Sequence, residues 1–303
     1  GDLEGAIATY EEVAAQHAFP LVRQLAKYHL ACLLLHTERF QEAVQRLDSL
    51  LAEEIPADLS AAQLQLLRAI CLIKLNREAE IPEDLPALLP GAGAKIEAGT
   101  AGIWMNAAFH FEQHGQLELA KELYSRLAAM QDVPGEVLTN LHFRLGFVLE
   151  CLGYYDDSCQ EYQKALDSPH IFTAAQVQAR WHLANLLYLA ESYDTAFHHF
   201  ASLRGASELT PEQRADVELK YGICLYRTNQ LSEAKRHLEW FRQWAGRSDS
   251  DFDLKADLVL AELCQRERDV QGARECLTRI IHHPGAERLM KTAALNSLER
   301  LTS

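Results

Sequence analysis

The chain has 303 residues, 48% hydrophobic and 24% charged, with a formal net charge of −14. So much apolar material excludes a disordered chain, and the lack of a long apolar run or of a charged, then apolar, stretch argues against membrane spanning. Residues 1–200 hold 27 Asp and Glu against 13 Lys and Arg, whereas residues 201–303 hold 16 against 16, so the acidic field belongs to the first two-thirds, where it repels nucleic acid and anionic lipid and suits a basic protein or peptide partner.

Small or apolar residues recur at Ala6, Ala43, Ile81, Ala120, Ser158, Ala196, Ala234 and Ala273, at intervals of 37 to 39 residues, which marks a stacked repeat array. Twelve residues before the last seven of these anchors stand Ala31, Ala69, Ala108, Gly146, Ala184, Gly222 and Ala261, all small, where two helices must approach closely. Nine before stand Leu34, Leu72, Phe111, Leu149, Leu187, Leu225 and Cys264. Four after all eight come Tyr10, Leu47, Leu85, Tyr124, Tyr162, Phe200, Leu238 and Leu277, and seven after come Val13, Leu50, Leu88, Leu127, Ala165, Leu203, Phe241 and Ile280. Offsets of three, four and seven are helical spacings, so each unit carries two amphipathic helices, and no segment alternates like a strand.

In chain order, residues 1–17 read as the second helix of a unit whose first helix is missing. An unpartnered apolar face does not end a soluble array, so the chain is expected to be a fragment of a longer protein, or to self-associate through this open end. Residues 20–55 form the first full pair. Residues 58–90 form a degenerate one, in which Glu78 replaces the apolar turn residue, Ile81 the anchor alanine, and Pro82, Pro86 and Pro90 crowd the second helix. Residues 82–99 therefore read as a shortened helix followed by a flexible connection, where a hinge is expected.

Pairs at 100–133, 135–169, 172–206, 210–247 and 251–284 follow. Gly115, Gly153 and Asn229 tolerate the left-handed conformation that ends a helix. Three residues before the anchors, Leu3, Phe40, Leu117, Tyr155, Tyr193, Leu231 and Val270 stand ready to seal the turns. Pro56, Pro134, Pro169, Pro211 and Pro284 fall between units, and Thr210-Pro-Glu-Gln213 reads as a capping box with proline at the first helical position. Residues 286–301 suit a closing helix, with Leu289, Ala293, Ala294, Leu298 and Leu301 on its apolar side.

The most complete copy is Trp104-x-x-Ala107-Ala108-x-x-Phe111 followed by Gly115-x-Leu117-x-x-Ala120-x-x-x-Tyr124. It resembles the tetratricopeptide repeat, as does nearly the whole chain, with a period about four residues longer than the family's usual one. The resemblance implies an all-α fold, a right-handed α-α superhelix of antiparallel helix pairs, with about seven full repeats and a partial one at the N-terminus. It also implies that the first helices line a concave side. Such a fold points to an interaction scaffold or adaptor, not an enzyme. The alternative is a regulatory or substrate-recruiting segment of a longer enzyme whose catalytic domain lies outside this chain.

On those first helices a second stripe runs beside the core stripe, through positions fifteen, eleven and eight before the anchors. It either widens the packing between repeats or faces a groove. From the third to the sixth full unit it mixes rings with polar groups. The residues are Met105, Asn106, Phe109 and Glu112; then Phe143, Arg144, Phe147 and Glu150; then Trp181, His182, Asn185 and Tyr188; then Lys220, Ile223, Tyr226 and Arg227. A partner-binding groove over 105–227 is the expectation, since rings supply contact area and polar groups fix register. Chaperone-binding members of the family hold a terminal carboxylate with Lys and Asn at such positions. Here Met105 and Phe109, or Phe143 and Phe147, stand instead, and Arg144, Asn185 and Lys220 do not rebuild that clamp.

No catalytic residue, metal or cofactor is expected. His110 and His114 are four apart on one helix, but no third ligand completes a zinc motif. The adjacent pairs His198-His199 and His282-His283 diverge on a helix. Gly91-Ala-Gly-Ala-Lys95 lacks the spacing and the preceding strand of a phosphate loop. Asp156-Asp157 and Glu53-Glu54 sit at turns and exposed ends. The seven cysteines, Cys32, Cys71, Cys151, Cys159, Cys224, Cys264 and Cys276, form no C-x-x-C pair, and they read as small hydrophobes in a reducing compartment, which favours the cytoplasm.

Overall fold

The helical spacing of the apolar columns is realised as helices packed in chain order. The computed structural model describes residues 2–55, 59–82, 84–88, 93–96, 98–245 and 252–302, and among them fifteen α-helices and no sheet are found. The chain divides into two compact units, Gly1–Ile171 and Phe172–Ser303. The first holds α1 (Leu3–Gln16), α2 (Pro20–His36), α3 (Phe40–Leu51), α4 (Ala61–Lys74), α5 (Ala98–Gln113), α6 (Leu117–Ala128), α7 (Gly135–Leu152) and α8 (Tyr155–Asp167). The second holds α9 (Thr173–Leu189), α10 (Tyr193–Leu203), α11 (Pro211–Arg227), α12 (Leu231–Ala245), α13 (Phe252–Arg266), α14 (Val270–His282) and α15 (Arg288–Thr302). Within each unit every helix packs on the next, and first helices also touch across a repeat, α5 on α7 and α11 on α13.

The columns become the core. Ala43, Ala120, Ser158, Ala196, Ala234 and Ala273 are fully buried anchors, and opposite them the small column lets the bulky residue of the second helix reach the first. At Gly146 an added Cβ would stand 2.9 Å from the Tyr162 ring, and at Gly222 one would stand 2.6 Å from Leu238. Those two repeats therefore carry glycine where the others carry alanine, despite the cost of about 1 kcal/mol that glycine imposes on a helix interior. The one polar anchor is satisfied locally, because the Ser158 hydroxyl donates to the Gly146 carbonyl at 2.7 Å, as a buried hydroxyl requires.

Each helix pair also shares one backbone device. The residue five before the anchor has positive φ in all seven full repeats: Glu38, Asn76, Gly115, Gly153, Glu191, Asn229 and Arg268, between 55° and 84°. The next amide then reaches back to the carbonyl nine before the anchor, from Arg39 to Leu34, Arg77 to Leu72, Gln116 to Phe111, Tyr154 to Leu149, Ser192 to Leu187, Gln230 to Leu225 and Asp269 to Cys264, at 2.8 to 2.9 Å. This is the six-to-one closure that satisfies the last carbonyls of a helix and reverses the chain. Glycine and asparagine announced it in sequence; Glu38, Glu191 and Arg268 adopt it without announcing it, because the pairing of two helices dictates the turn. The capping box of α11 is formed as expected, with Gln213 N–H donating to Thr210 Oγ1 at 3.2 Å and Thr210 N–H donating to the Gln213 side chain at 3.1 Å.

Several expectations are corrected. Leu88 stays 39% exposed because the proline-crowded second helix of the degenerate repeat is reduced to two 3-10 turns, Glu78–Glu80 and Leu85–Leu88, and Leu85 is the residue that reaches the core. Tyr155 and Val270, at 56% and 52% exposure, do not seal their turns, whereas Phe40, Leu117, Tyr193 and Leu231 at the equivalent position are half-buried. On α15 the inner stripe runs through Met290, Ala294, Leu298 and Leu301, so Leu289 and Ala293, one residue out of step, lie exposed. Of the expected flexible connection, residues 83, 89–92 and 97 lie outside those described, as does Pro56 among the expected linkers. The described remainder is tied down: Gly93 N–H donates to Ala129, Gln131 N–H to Ala94 and Ile96 N–H to Gln131, and Ile96 is buried.

Two measurements follow from these features. Amide exchange at Gly93, Ile96 and Gln131 is expected to be at least roughly tenfold slower than at an open loop amide; exchange at the open rate would restore a loose connection. Glu191→Gly and Arg268→Gly, at exposed positions, each relieve left-handed strain of about 1 kcal/mol against a smaller loss of chain entropy, so Tm in a thermal melt rises. Gly153→Val at the equivalent position lowers stability by about 1–3 kcal/mol.

Candidate functional site

In the first unit the stripe is carried by α5 and α7. Met105 is buried, Asn106 is exposed, and Phe109, Phe143 and Phe147 are half-buried. The carboxylates expected as polar hooks are committed to partners within the array. Glu112, only 6% exposed, accepts from the Tyr124 hydroxyl at 3.0 Å and from Arg144 at 3.0 Å. Glu150 accepts from the Tyr162 hydroxyl at 2.8 Å. Tyrosine four after the anchor and glutamate eight before it thus form one internal bond, repeated in two successive pairs. Burial first, then the adjacent carboxylate, raises both phenols far above the ordinary tyrosine range. The Arg144 guanidinium stands over the Phe109 ring, 4.6 Å from its centre, so it joins two neighbouring first helices.

In the second unit the stripe runs along α9, α11 and α13. Trp181 and His182 are half-buried and edge-on at 4.9 Å, and the Trp181 indole N–H is buried without an acceptor among the described residues. Asn185 accepts from Lys220 at 2.5 Å, and Lys220 also pairs with Asp216 at 2.8 Å. Tyr188 is half-buried, and burial pushes its phenol up to about 12. Ile223 and Tyr226 are buried, the Tyr226 hydroxyl donates to Glu262 at 2.7 Å, and Arg227 is exposed over the Tyr193 ring at 5.5 Å. Around them opens a concavity of about 230 Å³ lined by Tyr188, Ile223, Arg227, Lys255, Leu258 and Glu262, among others.

The stripe is buried in some repeats and half-exposed in others. Leu66, Met105 and Leu219 are buried between repeats, while Tyr28, Phe143, Trp181 and Leu258 remain half-exposed. The α13 members of the concavity, Lys255, Leu258, Val259 and Glu262, lie beyond the expected groove. Leu258 and Glu262 stood in the right columns, but the search for interleaved rings stopped before α13, which carries none there.

Two larger hollows lie on the second-helix side, which sequence reasoning did not single out. One, about 440 Å³, is lined by Lys121, Leu149, Tyr154, Asp157 and Glu161. The other, about 410 Å³, is lined by Arg204, Tyr221, Arg236, His237 and Trp240. Tyr221 stacks on Phe197 at 5.1 Å, His237 stands edge-on to Tyr221 at 5.0 Å, and Trp240 stacks on Trp244 at 6.1 Å, so a ring ladder climbs that side. Trp240 and Trp244, four apart on α12, were the available signal. Much of the charge in these hollows is answered internally: Arg204 pairs with Glu218 at 2.9 Å, and Glu161 with His142 at 2.6 Å and Lys164 at 2.6 Å.

No described group of three His, Cys, Asp or Glu side chains could hold a metal, and the His114 ring turns back to the His110 carbonyl at 2.8 Å. No described helix is long and apolar enough to cross a membrane. Cys71, Cys224, Cys264 and Cys276 are buried, and burial raises their thiols.

No family profile matches the sequence, and no curated protein does. Solved structures do. The C-terminal part of a TPR repeat-containing protein from Cytophaga hutchinsonii aligns over 88% of this chain and 99% of its own at 16% identity and a TM-score of 0.57. YrrB, described as a TPR protein with an unusual peptide-binding site, aligns over 65% of this chain and 92% of its own at 16% identity and a TM-score of 0.52. The apo form of RapI aligns over 99% of this chain and 82% of its own at 15% identity and a TM-score of 0.54. With helix pairs in chain order, a left-handed closure in every full repeat and these likenesses, the chain has the tetratricopeptide-repeat fold.

Proposed function

We propose that the chain is a protein-interaction scaffold that holds a peptide or protein segment against its first-helix faces, the concave side in the layout this repeat implies. The observation that carries the reading is the concavity on α9, α11 and α13, where side chains from three successive repeats converge on one hollow. Five of its members, Tyr188, Ile223, Tyr226, Leu258 and Glu262, lie in columns marked by sequence periodicity alone. Apolar floor and polar rim are the combination that binding surfaces use, the floor for contact area and the rim for register. The likeness to YrrB, a fold with a peptide-binding site of its own, agrees with this reading. In the first unit the corresponding face offers Phe109, Phe143 and Phe147, with Arg144 laid over the ring of Phe109.

The reading is tested with a displayed library of short random peptides panned on the intact chain. Binders are expected, and they should crosslink to p-benzoylphenylalanine substituted for Val259 in the hollow and not to the same residue substituted for the exposed Arg274 on α14. A library that yields no binder, or crosslinks that form equally at Arg274, overturns it.

A further inference from the structure

The hollow on α9, α11 and α13 carries more positive charge than the chain's net −14 suggests. Arg227, Lys255 and Arg266 are all exposed there or beside it, and among the described residues none of them forms an ion pair. In the same unit Arg204 pairs with Glu218, Lys220 with Asp216, Lys235 with Glu267, and Arg242 and Arg279 with Asp257. The three unpaired cations rest instead on rings: Arg266 over Tyr226 at 4.9 Å, Arg227 over Tyr193 at 5.5 Å and Lys255 over Phe252 at 6.0 Å. A ring face steadies a cation without neutralising it. The acid in the lining, Glu262, is held by the Tyr226 hydroxyl at 2.7 Å, and Asp216 is answered by Lys220.

We infer that this face recognises an acidic, apolar peptide segment, with one bulky apolar side chain entering the hollow over Ile223 and Leu258 and carboxylate side chains meeting Arg227, Lys255 and Arg266. The inference rests on the scaffold reading and adds the chemistry of the partner. It reverses the expectation of a basic partner, which came from the charge of residues 1–200; residues 201–303 are balanced, so no acidic field opposes an anionic segment there. Spacing excludes a single terminal carboxylate as the ligand. Lys255 and Arg266 are eleven positions apart on one helix, about 16 Å of rise. An extended peptide covers that distance in about five residues, so the match is two acidic side chains about that far apart, with the apolar residue between them.

Three fluorescein-labelled synthetic peptides test this, identical in their central leucine and flanks and carrying Glu, Gln or Lys at two positions spaced by that interval. Fluorescence anisotropy on the intact chain is expected to rank Glu roughly tenfold tighter than Gln, with Lys weakest. Arg227→Glu with Lys255→Glu should invert the order, and the milder Arg227→Gln with Lys255→Gln should bring the Glu peptide down to the Gln peptide; both side chains are exposed, so circular dichroism should be unchanged. A Gln or Lys peptide that binds the unmodified chain as tightly as the Glu peptide overturns the inference, as does a preference for Glu that survives the Gln variant. If none of the three binds, the panned library decides: binders at Val259 enriched in Asp and Glu support the inference, and binders there without enrichment overturn it while the scaffold reading stands. A library without binders overturns both.

Discussion

Every full repeat turns on one backbone residue held in the left-handed region, with the following amide closing onto the carbonyl nine before the anchor. That closure sets where the first helix stops and where the second begins. It thereby sets which residues of the pair face each other. From it follows the close approach at the small column, where Tyr162 fills the space over Gly146 and Leu238 the space over Gly222. Because neither helix buries its apolar face without the other, and no pair buries its own without a neighbour, the turn, the crossing and the stacking are one constraint seen at three scales.

The polar groups of the first helices show what that constraint leaves for a partner. Glu112 and Glu150 are taken by Tyr124 and Tyr162 of their own pairs, and Asn185 by Lys220. Such bonds stabilise the array, because a buried carboxylate or phenol left without a partner would cost more than the bond returns. A polar side chain beside a ring on a helix face is therefore not by itself a hook for a ligand. Where the internal partners run out, at Arg227, Lys255 and Arg266, charge is held on ring faces and remains exposed.

Net charge and local charge diverge for a related reason. A solenoid spreads its surface along the chain, so the excess of acids in residues 1–200 acts mainly where it lies, within a Debye length of about 8–10 Å. The charge of the hollow on α9, α11 and α13 is set by its own side chains, Arg227, Lys255 and Glu262 among them, and not by the composition of the whole chain.

The periodic pattern by itself determined the fold class, the helix pairing and the core columns, because burial at offsets of three, four and seven is a property of local helix geometry that any stacked array must share. It also marked Gly115, Gly153 and Asn229 as turns, and Thr210 as a cap, since those residue types carry their backbone preference with them. It could not mark Glu38, Glu191 or Arg268, whose positive φ is imposed by the helices on either side. Nor could it tell that Leu88, Tyr155, Val270 and Leu289 stay outside while Glu112 is sealed within, or that α13 contributes to the hollow and the segment 93–96 is pinned to 129–131. Those outcomes depend on which side chain from another helix arrives at a given point, and only the tertiary structure decides that.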